Sequence, residues 1–311
     1  EGAAVVLVGD PRVLARAAEL VGVAPDALVI VASRADAEAL PSGAVGVWAA
    51  SEPLAVEDAP FGAPTRAAGA AELAWIDRAT DLVRTGEADA LVTGPVSKHA
   101  IATSGAPGSA GFRGHTEHLA ERLGAREVVM AFASPELTTA LVTTHLPLAR
   151  VPEAITIDGV ASSIFWLSDL LVRLGHDRPR VAVAALNPHA GEGGLLGDEE
   201  ERVIAPGVAS GRARNASQGI DAEIAGPIGA ETAFRKATAR HFDGVVAMYH
   251  DQATIPSKLL GFGEAVNVTL GLPIVRTSVD HGTGYDIAGL GKADPRGMME
   301  ALTLAARLAR R

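Results

Sequence analysis

Three histidines in this chain could do chemistry together: His145 closes the run TALVTTH, His189 closes VAVAALNPH and His250 closes GVVAMYH. Each run is apolar and strand-like. A strand that crosses a core and stops on an imidazole delivers it to the rim of a sheet, where open α/β folds bind ligands. Three neutral nitrogen donors delivered this way can hold one divalent cation and leave room for a substrate oxygen. The competing reading is that each is a structural histidine satisfied by hydrogen bonds. Their neighbours weigh against it: a threonine pair precedes His145, AGEGG follows His189, and Asp251 and Gln252 follow His250. Among the nine histidines, His176 and His241 stand in polar, turn-like contexts and read as surface residues.

Four segments carry the remaining chemistry. In TGPVSKHA (93–100) a Gly-Pro turn is followed by Lys98, a pattern that suits an anion but also serves as ordinary punctuation. In FRGHTEHLAERLG (112–124) Thr116 is placed to cap a helix with His115 at its mouth, while His118 lacks the HExxH spacing of a zinc pair and reads as structural. LNPHAGEGGLLGDEE (186–200) is glycine-rich, but its spacing is GxGGxxG rather than GxGxxG, which disfavours a standard dinucleotide fold. The stretch 248–294 joins His250 to Lys258, Asn267, Arg276 and the pair Asp280-His281. Lysine and arginine near a metal ligand suggest a clamp for phosphate or carboxylate, with solvated ion pairs as the alternative.

These residues need a scaffold of strands and helices. Apolar runs at about 3–8, 28–32, 44–49, 89–93, 127–132, 137–144, 180–186, 243–249 and 265–270 predict strands. Amphipathic stretches at about 12–21, 66–85, 116–123, 152–174, 199–210, 230–240 and 296–310 predict helices, with Pro152 in the first turn of the clearest one. The alternation predicts an α/β fold with a largely parallel sheet. With 311 residues and 48% hydrophobic content the chain can bury one large or two ordinary cores. Its 27 basic against 37 acidic residues give a net charge of −10 without a basic cluster, which argues against nucleic acid as a partner. No apolar run has the length of a membrane span, and the absence of cysteine excludes thiolate sites and fits the cytoplasm.

At these segments the chain resembles the 4-hydroxythreonine-4-phosphate dehydrogenase family. LNPHAGEGG, MYHDQ and LGLPIVRTSVDHGT carry the likeness, which extends from GDPRVL to GLGKAD. The resemblance implies an isocitrate/isopropylmalate dehydrogenase-like fold of two interleaved α/β/α domains with an active-site cleft between them. The first would take 1–113 and 262–311 with the nucleotide-binding loop, the second 114–261 with the metal ligands and dimer contacts. It implies NAD or NADP as cofactor, and one divalent ion (zinc, magnesium, manganese or cobalt) on His145, His189 and His250. The site would be shared across a homodimer, with His250 given by the partner. His115, Thr116, Lys258, Asn267 and Arg276 would contact a phosphorylated substrate, and His281 and Gly282 of HGTGYDIAG the nucleotide. Asp251, which adjoins a ligand, is the candidate to orient it; no general base is assigned.

The implied activity is oxidation of 4-phosphohydroxy-L-threonine to the 3-oxo acid, which decarboxylates to 3-amino-2-oxopropyl phosphate in pyridoxal phosphate biosynthesis. Relatives acting on 4-phospho-D-threonate or 4-phospho-D-erythronate are the first alternative. An aromatic cis-dihydrodiol dehydrogenase and a non-redox metal-dependent hydrolase follow. The chain departs from the family pattern at Glu231, where aspartate is usual, and at Ala253, where glycine is usual. It also lacks the family's opening glycine-rich segment ahead of Gly9-Asp10-Pro11, which suggests a trimmed start.

Overall fold

The computed structural model describes residues 3–261 and 263–310. The chain forms two compact units, one running up to Gly124 and including His281–Pro295, the other comprising Ala125–Asp280 and the chain from Arg296 on. The exchange points therefore lie at 124/125, 280/281 and 295/296 rather than at 113/114 and 261/262. Helix 115–123 goes with the first unit, and strands 266–270 and 275–278 with the second.

The first unit contains β1 (Val6–Gly9), α1 (Pro11–Leu20), β2 (Leu28–Ile30), α2 (Arg34–Glu38), β3 (Val45–Ala49), α3 (Arg66–Arg84), β4 (Ala90–Thr93), α4 (Lys98–Thr103) and α5 (His115–Leu123). Strands β1, β3 and β2 pair in parallel in that order. Asp10 starts α1 by accepting from the Arg12 N–H at 2.8 Å, with Pro11 in the first turn, where a missing N–H costs nothing. Thr65 caps α3 in the same way. Helices α3 and α4 touch backbone to backbone: a Cβ on Gly69 would lie 2.3 Å from the carbonyl of Ala100.

The second unit contains β5 (Val129–Ala133), β6 (Thr138–Leu141), α6 (Val151–Ala154), α7 (Ile157–Arg173), β7 (Arg180–Ala184), α8 (Ala205–Ser217), β8 (Glu223–Ile228), α9 (Ala230–Thr238), β9 (Gly244–Ala247), α10 (His250–Leu260), β10 (Val266–Leu270), β11 (Val275–Ser278) and α11 (Arg296–Ala309). Its strands run in the order β11-β10-β5-β6-β9-β7-β8. Pairing is parallel from β6 through β9 and β7 to β8, and antiparallel from β11 through β10 and β5 to β6. The antiparallel β5–β6 pair follows from chain length, since 134–137 is too short for a parallel crossover.

The core is built on α7, whose Val160, Ile164, Leu167 and Leu171 are fully buried, as are Val181, Val183, Val245 and Val246 of the central strands. The helix expected over 152–174 is two helices. Thr156 is extended and its hydroxyl accepts the Gly159 N–H at 3.0 Å, so α7 starts at Ile157 and Pro152 belongs to the short α6. Helix α8 packs tightly on α7 because a Cβ on Gly207 would lie 2.6 Å from Val160. Among the described residues no single helix is long and apolar enough to cross a membrane.

Candidate active site

Two of the three histidines meet in the second unit. Strands β6 and β9 pair Leu141 with Ala247. Beyond the ladder, the Thr143 hydroxyl donates to the Met248 carbonyl at 2.7 Å. His145 and His250 lie two residues past this tie, and their ring centroids are 5.3 Å apart. The neighbouring side chain of Gln252 fixes the start of α10: its amide accepts the Met248 N–H at 2.7 Å and donates to the Ala185 carbonyl at 2.8 Å. One glutamine thus joins the ends of β9 and β7. None of the three histidines is itself a strand residue: His145 and His189 stand on loops and His250 opens α10.

One chain thus holds the His145 and His250 rings side by side. His189 is carried by another element. It lies on the turn after β7, and among the described residues no group of three His, Asp or Glu side chains converges for a metal. The donor chemistry still fits a divalent ion. Asp251 accepts a hydrogen bond from His250 Nδ1 at 2.8 Å, which fixes the ring and turns Nε2 outward, the usual support for a ligating imidazole.

The other expected contacts of this unit separate into two settings. Asn267 lies opposite Ser278 and Val268 opposite Thr277, which sets Thr269 beside Arg276. Thr277 donates to the Ala301 carbonyl of α11, so Asn267, Thr269 and Arg276 share the opposite face. Arg276 is 4% exposed and donates to Thr269 Oγ1 at 2.7 Å, while Asn267 Oδ1 is buried without a hydrogen-bond partner among the described residues. Buried acceptors in folded proteins are usually paired with protein or with water. Lys258 is exposed on α10 and pairs with Asp280 at 3.0 Å.

In the first unit His115 is the opening residue of α5 and Thr116 follows it. Gly114 holds the N-cap position without a side-chain cap, so Thr116 lies inside the helix and is not its cap. A Cβ on Gly114 would lie 3.3 Å from Lys98 Nζ and 3.0 Å from Glu117 Oε2; glycine keeps the mouth of α5 open beside an ammonium group. Lys98 is held by its own helix, where Ser97 Oγ accepts the Ala100 N–H and Glu72 accepts the Ser97 N–H at 3.2 Å. Burial pushes the Glu72 carboxyl up to about 7 against the lowering effect of that hydrogen bond. His118 is structural, 2.6 Å from Asp77. His281 and Gly282 are exposed, and His281 Nδ1 lies 2.9 Å from the Gly282 carbonyl.

Residues 1–305 match the model of the pyridoxal phosphate biosynthetic protein PdxA. The chain belongs to the PdxA family. A 4-hydroxythreonine-4-phosphate dehydrogenase of Desulfosudis oleivorans is 43% identical over 96% of this chain and 85% of its own. Its counterpart from Geobacter metallireducens is 45% identical over 98% of this chain and 86% of its own. The crystal structure of the enzyme of that name from Klebsiella pneumoniae superposes with a TM-score of 0.86 at 37% identity, covering 100% of this chain and 90% of that one. The two positions where the resemblance expects other residues have these surroundings. The Ala253 methyl is buried with Phe132, Leu141 and Ala247, and Glu231 pairs with Arg235 one turn along α9 at 3.0 Å. Sequence reading missed Gln252, Glu72 and Thr143; for Gln252 the signal was its place beside His250-Asp251.

Proposed function

We propose that the protein is a metal-dependent, NAD(P)-linked 4-hydroxythreonine-4-phosphate dehydrogenase acting in the cytoplasm. The observation that carries this reading is the paired His145 and His250, oriented by Asp251, within a PdxA match over residues 1–305. His145, His250 and His189 would hold the divalent ion. Bound there, the ion would lower the pKa of the substrate C3 hydroxyl while the nicotinamide accepts the C3 hydride.

The residues of the chain set up that step. Asp251 keeps the His250 ring in the tautomer whose Nε2 lone pair is available. Lys98, His115 and Thr116 offer an ammonium, an imidazole and a hydroxyl at the mouth of α5 for the substrate's anionic end. Arg276, Asn267 and Lys258 supply further contacts, and His281 and Gly282 the nucleotide side. Oxidation yields a ketone β to the carboxylate, so carbon dioxide departs and the 3-amino-2-oxopropyl phosphate remains. A homodimer is supported by apolar side chains left exposed on the histidine-bearing segments: Leu146 and Leu148, Leu195 and Leu196, and Ile255 with Leu259 one turn apart on α10.

The test is NADH and NADPH formation in metal-supplemented assays with phosphohydroxythreonine and 4-phospho-threonate side by side. Turnover of the amine-bearing compound is expected. No reduction with it sinks the assignment: turnover of phospho-threonate alone would establish the catabolic activity, and hydrolysis without reduction a non-redox enzyme.

A further inference from the structure

The turn that carries His189 is wound against the hand natural to L-amino acids. Six consecutive residues, His189, Ala190, Gly191, Glu192, Gly193 and Gly194, have φ of 51, 53, 77, 46, 62 and 91°. His189, Ala190 and Glu192 therefore each carry a Cβ in a left-handed conformation. Each is a strained conformation for a residue with a side chain, and such a turn persists only where its surroundings over-determine it.

Glu200 supplies that constraint. It is 4% exposed, and its Oε1 accepts the backbone N–H groups of Leu186 at 2.9 Å and Asn187 at 2.8 Å. Its Oε2 accepts from Asn187 Nδ2 at 3.0 Å, and the same amide donates to Glu199 Oε2 at 2.7 Å. Two glycines make room for this cluster: a Cβ on Gly191 would lie 2.8 Å from Glu200 Oε2, and one on Gly197 would lie 2.3 Å from Asn187 Nδ2. Among the described residues no lysine or arginine pairs with Glu200, so backbone and amide dipoles alone meet this buried carboxylate.

We propose that Glu200 is a positioning residue for His189: through Asn187 it locks the left-handed turn and so presents the imidazole to the metal in one orientation. The role rests on the reading of His189 as a ligand. Support of this kind for a ligating histidine is worth roughly 10–100-fold in metal affinity.

Glu200→Gln is the informative variant. Its oxygen can still accept from Leu186 and Asn187, but its NH₂ would face the Asn187 NH₂, and a flipped Asn187 would turn its oxygen on Glu199. Cobalt(II) is titrated into the full-length wild type, Glu200→Gln, Asn187→Ser and His189→Ala, with affinity read by calorimetry, ligand geometry by visible absorption and folding by circular dichroism. A folded Glu200→Gln is expected to bind cobalt more weakly by at least about 10-fold with an altered spectrum, and to regain kcat at saturating metal. Asn187→Ser should shift both in the same direction. Wild-type affinity and spectrum in Glu200→Gln, with His189→Ala weakened, overturn this proposal alone. Wild-type binding in His189→Ala overturns the ligand reading and this proposal with it.

Discussion

The two units present their chemistry on different supports. In the second, His145 and His250 follow the neighbouring parallel strands β6 and β9, whose ends Thr143 ties, while Gln252 ties β9 to β7. In the first, His115 and Thr116 open a helix whose mouth is kept clear by Gly114 and flanked by Lys98. Their carboxylates differ in the same sense. Glu127 of the second unit accepts from Arg214, Ser162 and Trp166, and the Arg214 guanidinium above all holds it down at about 2. Glu72 of the first unit accepts from the Ser97 N–H, and burial pushes it up to about 7. The half-buried Glu127 is closed by a cation, whereas the Glu72 carboxyl is raised by burial beside Ser97, the residue that precedes Lys98. Rigid donors suit a metal, and an open cationic mouth suits an anion.

The largest effect should come from the strand rim. His250→Ala is expected to lose bound metal and at least about 10³-fold in kcat/KM, read by metal analysis and steady-state kinetics. His115→Asn should raise KM for the phosphorylated substrate about 10-fold and leave metal content unchanged. Loss of metal in His115→Asn would erase the distinction between the two regions.

The carboxylates sharpen the contrast through pH. Glu127 is depressed in the folded state, so its stabilisation is full above the ordinary value of 4.5 and disappears as pH falls toward 2. Glu127→Gln should therefore cost about 1–2 kcal/mol in urea unfolding at pH 7, after allowing for solvent screening, and little at pH 2. Glu72 is raised, so its contribution is most favourable below 4.5 and declines as pH rises toward 7. Glu72→Gln should gain about 1 kcal/mol at pH 8 and nothing at pH 4, the smallest of these effects. A loss at pH 8 would mean that the Ser97 hydrogen bond outweighs burial.

Much of this was legible in the sequence because periodicity is local. Helices α3, α5, α9 and α11 lie where their apolar spacing placed them, and the three histidines follow the strands that announced them. Helix α10 was not legible, since HDQATIPSKLL is polar at its start and carries Pro256 inside. Strand β8 contains Gly226-Pro227, which reads as a turn, and β11 is the short, mostly polar VRTS. Glu200 escaped for another reason. It bonds Leu186 and Asn187 from 14 and 13 residues away, a distance that no helical or strand period marks. The left-handed winding of the turn that carries His189 is likewise left open by composition alone.

Ile255 and Leu259 stand exposed on the helix that His250 begins. A second copy covering that face would bind with an affinity linked to the order of the site, and mass action would then govern both. Specific activity would fall on dilution below the dissociation constant and recover on concentration, so turnover per chain would become a property of the solution as well as of the chain.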